Sequence, residues 1–130
     1  MLNIQKIKQT LLKLDQKKRI KFIILFGSVA EKRNTPLSDI DIAVYYEGNE
    51  DERFKFRVTA LGNLSDKVDL HIFQDLPLTV KKEVIAGKIL FYQDYQFLFD
   101  EVMKVIKEYE FFEKYRNQYY AAYECESIES

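Results

Sequence analysis

The sequence holds one cysteine, one histidine, two prolines, four glycines and no tryptophan. A lone cysteine excludes an internal disulfide and most thiolate metal sites, and Cys125 sits among acidic residues with nothing beside it to activate a thiol. Charge of one sign is missing too. Twenty Lys and Arg face 21 Asp and Glu, so bulk electrostatics offer no case for nucleic-acid binding. Apolar runs reach no more than the five residues of Phe22 to Phe26, far short of the roughly 20 residues of a membrane span, and no basic n-region followed by an apolar h-region opens the chain. A cytoplasmic protein without membrane contact is expected. No lysine stands as in a Walker A loop and no Gly-x-Gly-x-x-Gly occurs, which leaves P-loop and dinucleotide-binding sites without support.

The 130 residues, 47% of them apolar, suffice for one domain with a real core and are too few for two. A single domain over 1–130 is therefore expected, and it shows neither repeats nor low-complexity segments. Helical spacing of Leu2, Ile4, Ile7, Leu11, Leu12 and Leu14 predicts an amphipathic helix over 2–18. The period then changes: 20–26, "IKFIILF", reads as a buried strand stopped by Gly27, and 39–46, "DIDIAVYY", as an alternating one. A helix is expected from about 51 to 64, a third strand over 67–73, "KVDLHIF", and a short helix over 78–87 closed by Gly87. The segment "ILFYQ" adds a short fourth strand. A long helix over about 95–123 carries Leu98, Val102, Val105, Tyr109 and Phe112 in one stripe, widened by Phe99, Met103 and Ile106, with an acidic tail over 124–130. Helices alternating with strands argue for an α/β fold, a mixed or parallel sheet covered by helices. The aromatics of the last helix serve core packing, or packing together with a protein-binding face.

The chemistry concentrates in three places. Side chains alternate across a strand, so Asp39 and Asp41 share one face while Ile40, Ile42 and Val44 share the other. Adjacent carboxylates repel, and a proton or cation must relieve them. Mg²⁺ suits the pair, because it takes oxygen ligands and commonly uses one or two carboxylates plus substrate phosphates. On the third strand Asp69 lies opposite Val68, Leu70 and Ile72. If that strand pairs with 39–46, three carboxylates can hold two ions ~3.5–4 Å apart, the layout for in-line displacement at phosphorus, and Asp69 can take the proton of an attacking hydroxyl. Gly27 and Ser28 follow an apolar strand, where a glycine permits close backbone approach and free N–H groups can face a phosphate. Taken singly, each piece has an ordinary meaning: a turn, a solvated edge strand, an isolated acid. Their order, the ten residues between Ser28 and Asp39, and the separate strand bearing Asp69 point jointly to a nucleoside triphosphate with its metals.

In these residues the chain resembles the nucleotidyltransferase superfamily that includes DNA polymerase beta, over about residues 20–120. Its small size and "EYEFFEKYRNQYY" resemble the minimal nucleotidyltransferases, the MNT proteins. That resemblance implies a polymerase beta-like fold, with Gly27 and Ser28 on the triphosphate, Asp39, Asp41 and Asp69 on two Mg²⁺ ions, and Asp69 as base. It also implies AMP transfer from ATP to a hydroxyl, in the closest members a tyrosine of a partner HEPN ribonuclease toxin, which makes the protein the antitoxin of a HEPN/MNT pair. Two other readings stay open: a non-catalytic antitoxin that covers its partner, and transfer to a small hydroxyl compound such as an aminoglycoside. The chain departs from Gly-Ser-x-Ala-Arg-Gly in having Glu31 and Lys32 after Ala30, and a negative side chain beside polyphosphate is unfavourable unless it points away. His71 shares a face with Asp69, where a lone histidine is more often structural than functional.

Overall fold

The computed structural model describes residues 3–27 and 39–129. Helix α1 (Ile4–Leu14) starts at Asn3, whose side-chain oxygen accepts from the backbone N–H groups of Gln5 at 2.9 Å and Lys6 at 3.4 Å, and this satisfies donors that the first turn leaves open. It stops short of the expected residue 18 because Asp15 turns the chain. The Asp15 carboxylate is buried and accepts from the N–H groups of Arg19 at 2.8 Å and Ile20 at 2.7 Å. Strand β1 (Ile20–Phe26) begins there.

Three further strands, β2 (Ile40–Tyr46), β3 (Val68–Ile72) and β4 (Lys88–Tyr92), complete a mixed sheet in the order β3-β2-β1-β4. Strand β1 runs antiparallel to both of its neighbours, and β2 and β3 run parallel. A parallel pair needs a crossover, supplied here by α2 (Glu50–Leu61). That helix opens on a capping box: Asn49 accepts from the N–H of Glu52 at 2.8 Å while the Glu52 carboxylate accepts from the N–H of Asn49 at 3.0 Å. Helix α3 (Leu78–Ile85) links β3 to β4, and α4 (Tyr95–Glu129) follows. The sequence pattern thus places the four strands and four α-helices in order, with ends shifted by a few residues, and lacks only the short 3-10 turn Phe73–Asp75 after β3. The last helix differs most, continuing through 124–129 where an acidic tail was expected.

Both faces of the sheet are covered. On one, Ile23, Leu25, Ile42, Val44 and Leu70 meet Ile7 and Leu11 of α1 and Phe56 and Ala60 of α2. On the other, Phe22, Ile24, Phe26, Ala43 and Phe73 meet Val84 of α3 and Leu98 and Val105 of α4. The aspartate-bearing face of β2 therefore becomes core beyond Asp41, so the carboxylates stand at the end of a buried surface. The stripe on α4 is narrower than expected: Leu98 and Val105 are buried, while Phe99 and Phe112 are exposed, as are Phe111 and Tyr115 beyond the sheet. Among the described residues no helix is long and apolar enough to cross a membrane.

Candidate functional site

The parallel pairing of β2 with β3 sets Ile40 beside Val68, Asp41 beside Asp69 and Ala43 beside His71. On the other side of β2, Phe26 is the register partner of Asp41, so the end of β1 reaches the same spot. There the chain turns at Gly27, whose φ of +82° is a backbone conformation natural to glycine. A Cβ on Gly27 would lie 2.5 Å from Oδ2 of Asp41. The glycine thus has a steric role toward the carboxylate in addition to opening the turn.

Asp41 is held by β2 and is partly buried, with 29% of its side chain exposed, while Asp69 is 47% exposed. Burial raises the Asp41 pKa above the ordinary value. The neighbouring His71 opposes that shift, and the charges of Asp69 and Asp39 add to it. Asp39 lies one residue ahead of β2 and is exposed, so its charge is felt at Asp41 although the strand does not hold it. The tight group among the described residues is Asp41, Asp69 and His71, whose potential ligand atoms all lie within 4.8 Å of one another. Nε2 of His71 is 3.0 Å from Oδ2 of Asp69 and 3.8 Å from Oδ1 of Asp41. Its ring rests against Phe26, centroids 5.8 Å apart.

Of the five residues singled out in the sequence, the structure brings Gly27, Asp41 and Asp69 together and leaves Asp39 at the strand's threshold. Ser28 lies outside the described residues, as do Ala30, Glu31 and Lys32. His71, two residues from Asp69 on a strand and hence on the same face, stands within the carboxylate cluster. Arg57, for which the sequence carries no signal, reaches from α2 over the outer edge of β3 and donates from Nε to the Leu70 carbonyl at 2.7 Å. Arg57, Phe54, Ile72 and His71 line a cleft of about 940 Å³ between the start of α2 and the end of β3. His71 belongs to both the cleft and the carboxylate cluster, while Asp41 and Asp69 do not line the cleft.

Neighbouring parallel strands that present paired carboxylates beside a glycine turn suit a polyphosphate with its cations. The model of the family described as polymerase beta, nucleotidyltransferase matches residues 5–96, a span that contains all of these groups. The chain belongs to the polymerase beta nucleotidyltransferase family. A curated protein of Methanocaldococcus jannaschii, provisionally named a protein adenylyltransferase, is 39% identical over 70 residues. That match spans 53% of this chain and 53% of the relative, about half the length of each. Among solved structures, a mutant form of a toxin–antitoxin complex of MntA is similar with a TM-score of 0.68 and 28% identity, over 90% of this chain and 94% of the other. A tri-AMPylated Shewanella oneidensis HEPN toxin in complex with an MNT antitoxin matches with a TM-score of 0.65 and 23% identity, over 87% and 92% of the two chains. At that identity the likeness shows the shared nucleotidyltransferase fold.

Proposed function

We propose that this member of the family transfers AMP from ATP to a hydroxyl, that of a tyrosine on a HEPN-type toxin, and thereby acts as an antitoxin in the cytoplasm. The observation that carries the proposal is the register of Asp41 beside Asp69 on adjacent parallel strands, in a chain whose family match spans both. Support for the acceptor comes from the adenylyltransferase name of the curated relative and from the AMPylated toxin in the similar solved complex.

The donor set fits a hard divalent cation, since oxygen atoms of Asp41 and Asp69 lie close enough to share one. Asp39, Asp41 and Asp69 would hold two Mg²⁺ ions, which when bound neutralise phosphate charge and stabilise the leaving oxygen. Gly27 and Ser28 would cradle the triphosphate, with the glycine permitting close backbone approach. Asp69, the more exposed of the two paired carboxylates, takes the proton from the acceptor hydroxyl. That oxygen attacks the α-phosphorus, the bond to the β-phosphate's bridging oxygen breaks, and pyrophosphate leaves with the electron pair.

The test incubates the full chain with ATP labelled at the α-phosphate, Mg²⁺ and a HEPN-type toxin as the acceptor. Label should appear on a tyrosine of the partner and vanish with Asp39→Asn or Asp41→Asn. Tight association without label overturns the transfer and leaves a covering antitoxin. The second reading has its own observation, the exposed Phe111 and Tyr115 on the free part of α4, ring centroids 4.7 Å apart.

A further inference from the structure

We propose that His71 is a metal ligand, so that Asp41, Asp69 and His71 form a mixed oxygen and nitrogen centre that takes Mn²⁺ more tightly than Mg²⁺. The inference rests on the proposed function in taking the two carboxylates as cation ligands. It goes beyond that reading by adding a ligand and naming the ion the set prefers.

The geometry is that of donors around one ion. Two ligands at adjacent corners of an octahedron of ~2.1 Å bonds are about 3 Å apart, and two at opposite corners about 4.2 Å. The His71 nitrogen lies 3.0 Å from one carboxylate oxygen and 3.8 Å from the other, and the whole set stays within 4.8 Å. An ion between the three groups needs only small side-chain adjustments.

The fold also aims the imidazole. His71 and Asp69 are two residues apart on β3 and share a face. The register neighbour of His71 on β2 is Ala43, whose methyl group leaves room for the ring to lean toward Asp41. Phe26 backs the ring from β1. Three strands therefore converge to hold one nitrogen beside two acids. Metal-binding histidines have a fixed ring orientation, most often through a hydrogen bond from the second ring nitrogen; at His71 the packing of Phe26 restricts the ring.

Donor chemistry then selects the cation. Mg²⁺ favours an all-oxygen shell and keeps several waters. Imidazole suits first-row transition ions, carboxylates suit Mg²⁺, Ca²⁺ and Mn²⁺, and affinity for a given N/O site rises along the transition series from Mn²⁺. Mn²⁺ accepts both donor types of this set. An ion at Nε2 needs the lone pair of that nitrogen, so the ligand form of the side chain is the neutral imidazole with its N–H on Nδ1.

The experiment uses the full chain without nucleotide or partner, loaded with Mn²⁺ alone. Pulsed electron paramagnetic resonance should show the modulation of a directly bonded ¹⁴N, and His71→Ala should abolish it. The variant should weaken Mn²⁺ binding by about tenfold or more, the scale on which metal sites respond to losing a supporting group, while Mg²⁺ binding measured by competition changes less than threefold. Wild-type protein that binds Mn²⁺ without nitrogen coupling overturns the inference, and this holds even if the variant fails to fold. AMP transfer without nitrogen coupling removes His71 from the ligand set and leaves the proposed reaction standing. Nitrogen coupling without AMP transfer in either ion upholds the ligand set and removes the reaction.

Discussion

Gly27 and Asp41 touch across the end of the β1–β2 pair: the Cβ that Gly27 lacks would stand 2.5 Å from Oδ2 of the aspartate. With φ at +82°, the glycine serves both the turn and the carboxylate. Gly27→Ala should therefore lower stability by about 1–2 kcal/mol through the left-handed backbone alone. It should also push the carboxylate off its position and slow AMP transfer by about 100-fold, the scale reached by an ångström of misplacement. Initial-rate measurement beside a thermal melt separates the two effects.

Gly87, one residue ahead of β4, meets the same strand β1 from its other edge. Its missing Cβ would press into the Leu25 carbonyl oxygen and lie 3.1 Å from Cβ of Phe26, both in the central strand. Gly87→Ala should cost about 1–3 kcal/mol by overpacking. Mn²⁺ affinity of the folded fraction should fall as well, because the clash displaces Phe26, which pairs with Asp41 and backs the His71 ring. Chemical denaturation and a metal titration check the two halves of this expectation.

Asp15 governs where α1 ends and β1 begins. Its buried carboxylate accepts two backbone N–H groups, those of Arg19 and Ile20. Asp15→Ala leaves both donors without that partner and should destabilise the fold by about 1.5–3 kcal/mol, the range for hydrogen bonds to a charged group. A lowered melting midpoint is the measurement. A midpoint equal to wild type would show that water replaces the carboxylate.

The pH dependence of stability has opposite signs at two carboxylates. Burial raises the Asp41 pKa, so the folded state binds this proton more tightly than the unfolded one. Metal-free stability should fall as pH rises from about 4, the ordinary aspartate value, through the raised value. Glu52 behaves the other way. Its bond from Arg19 chiefly lowers its pKa, so its contribution is present above the ordinary glutamate value and is lost as pH falls through the depressed one. Melts of wild type and Asp41→Asn across this range isolate the Asp41 slope: the variant should gain on wild type as pH rises, and added divalent cation should erase the gain.

Much of the architecture was legible because the signals are local. The β-branched and aromatic "IKFIILF" could hardly be anything but a buried strand, and it is an inner strand of the sheet, between β2 and β4. Alternation in "DIDIAVYY" located the acids on one face, opposite Ile42 and Val44, and those isoleucine and valine side chains pack with α1 and α2. The limits of α4 were harder to read. Phe99 and Phe112 have the spacing of core residues and are exposed, because whether an apolar side chain is covered depends on how far the sheet extends beneath the helix. Arg57 carried no signal at all, since its bond to the Leu70 carbonyl joins a helix to the edge of a strand that follows it in the chain.

Sequence by itself determined which residues can carry the chemistry: a glycine able to adopt a positive φ, acids spaced by two at the head of a strand, a histidine two beyond Asp69. These properties come from side-chain chemistry and the two-residue period of a strand, which each segment possesses on its own. Tertiary structure alone decided that β3 lies parallel to β2 with Asp69 beside Asp41, and that His71 leans over Ala43 toward both acids. A slip of one residue would send Asp69 to the opposite face. That register is set by the hydrophobic faces packed against α1, α2, α3 and α4 together, so no single segment encodes it.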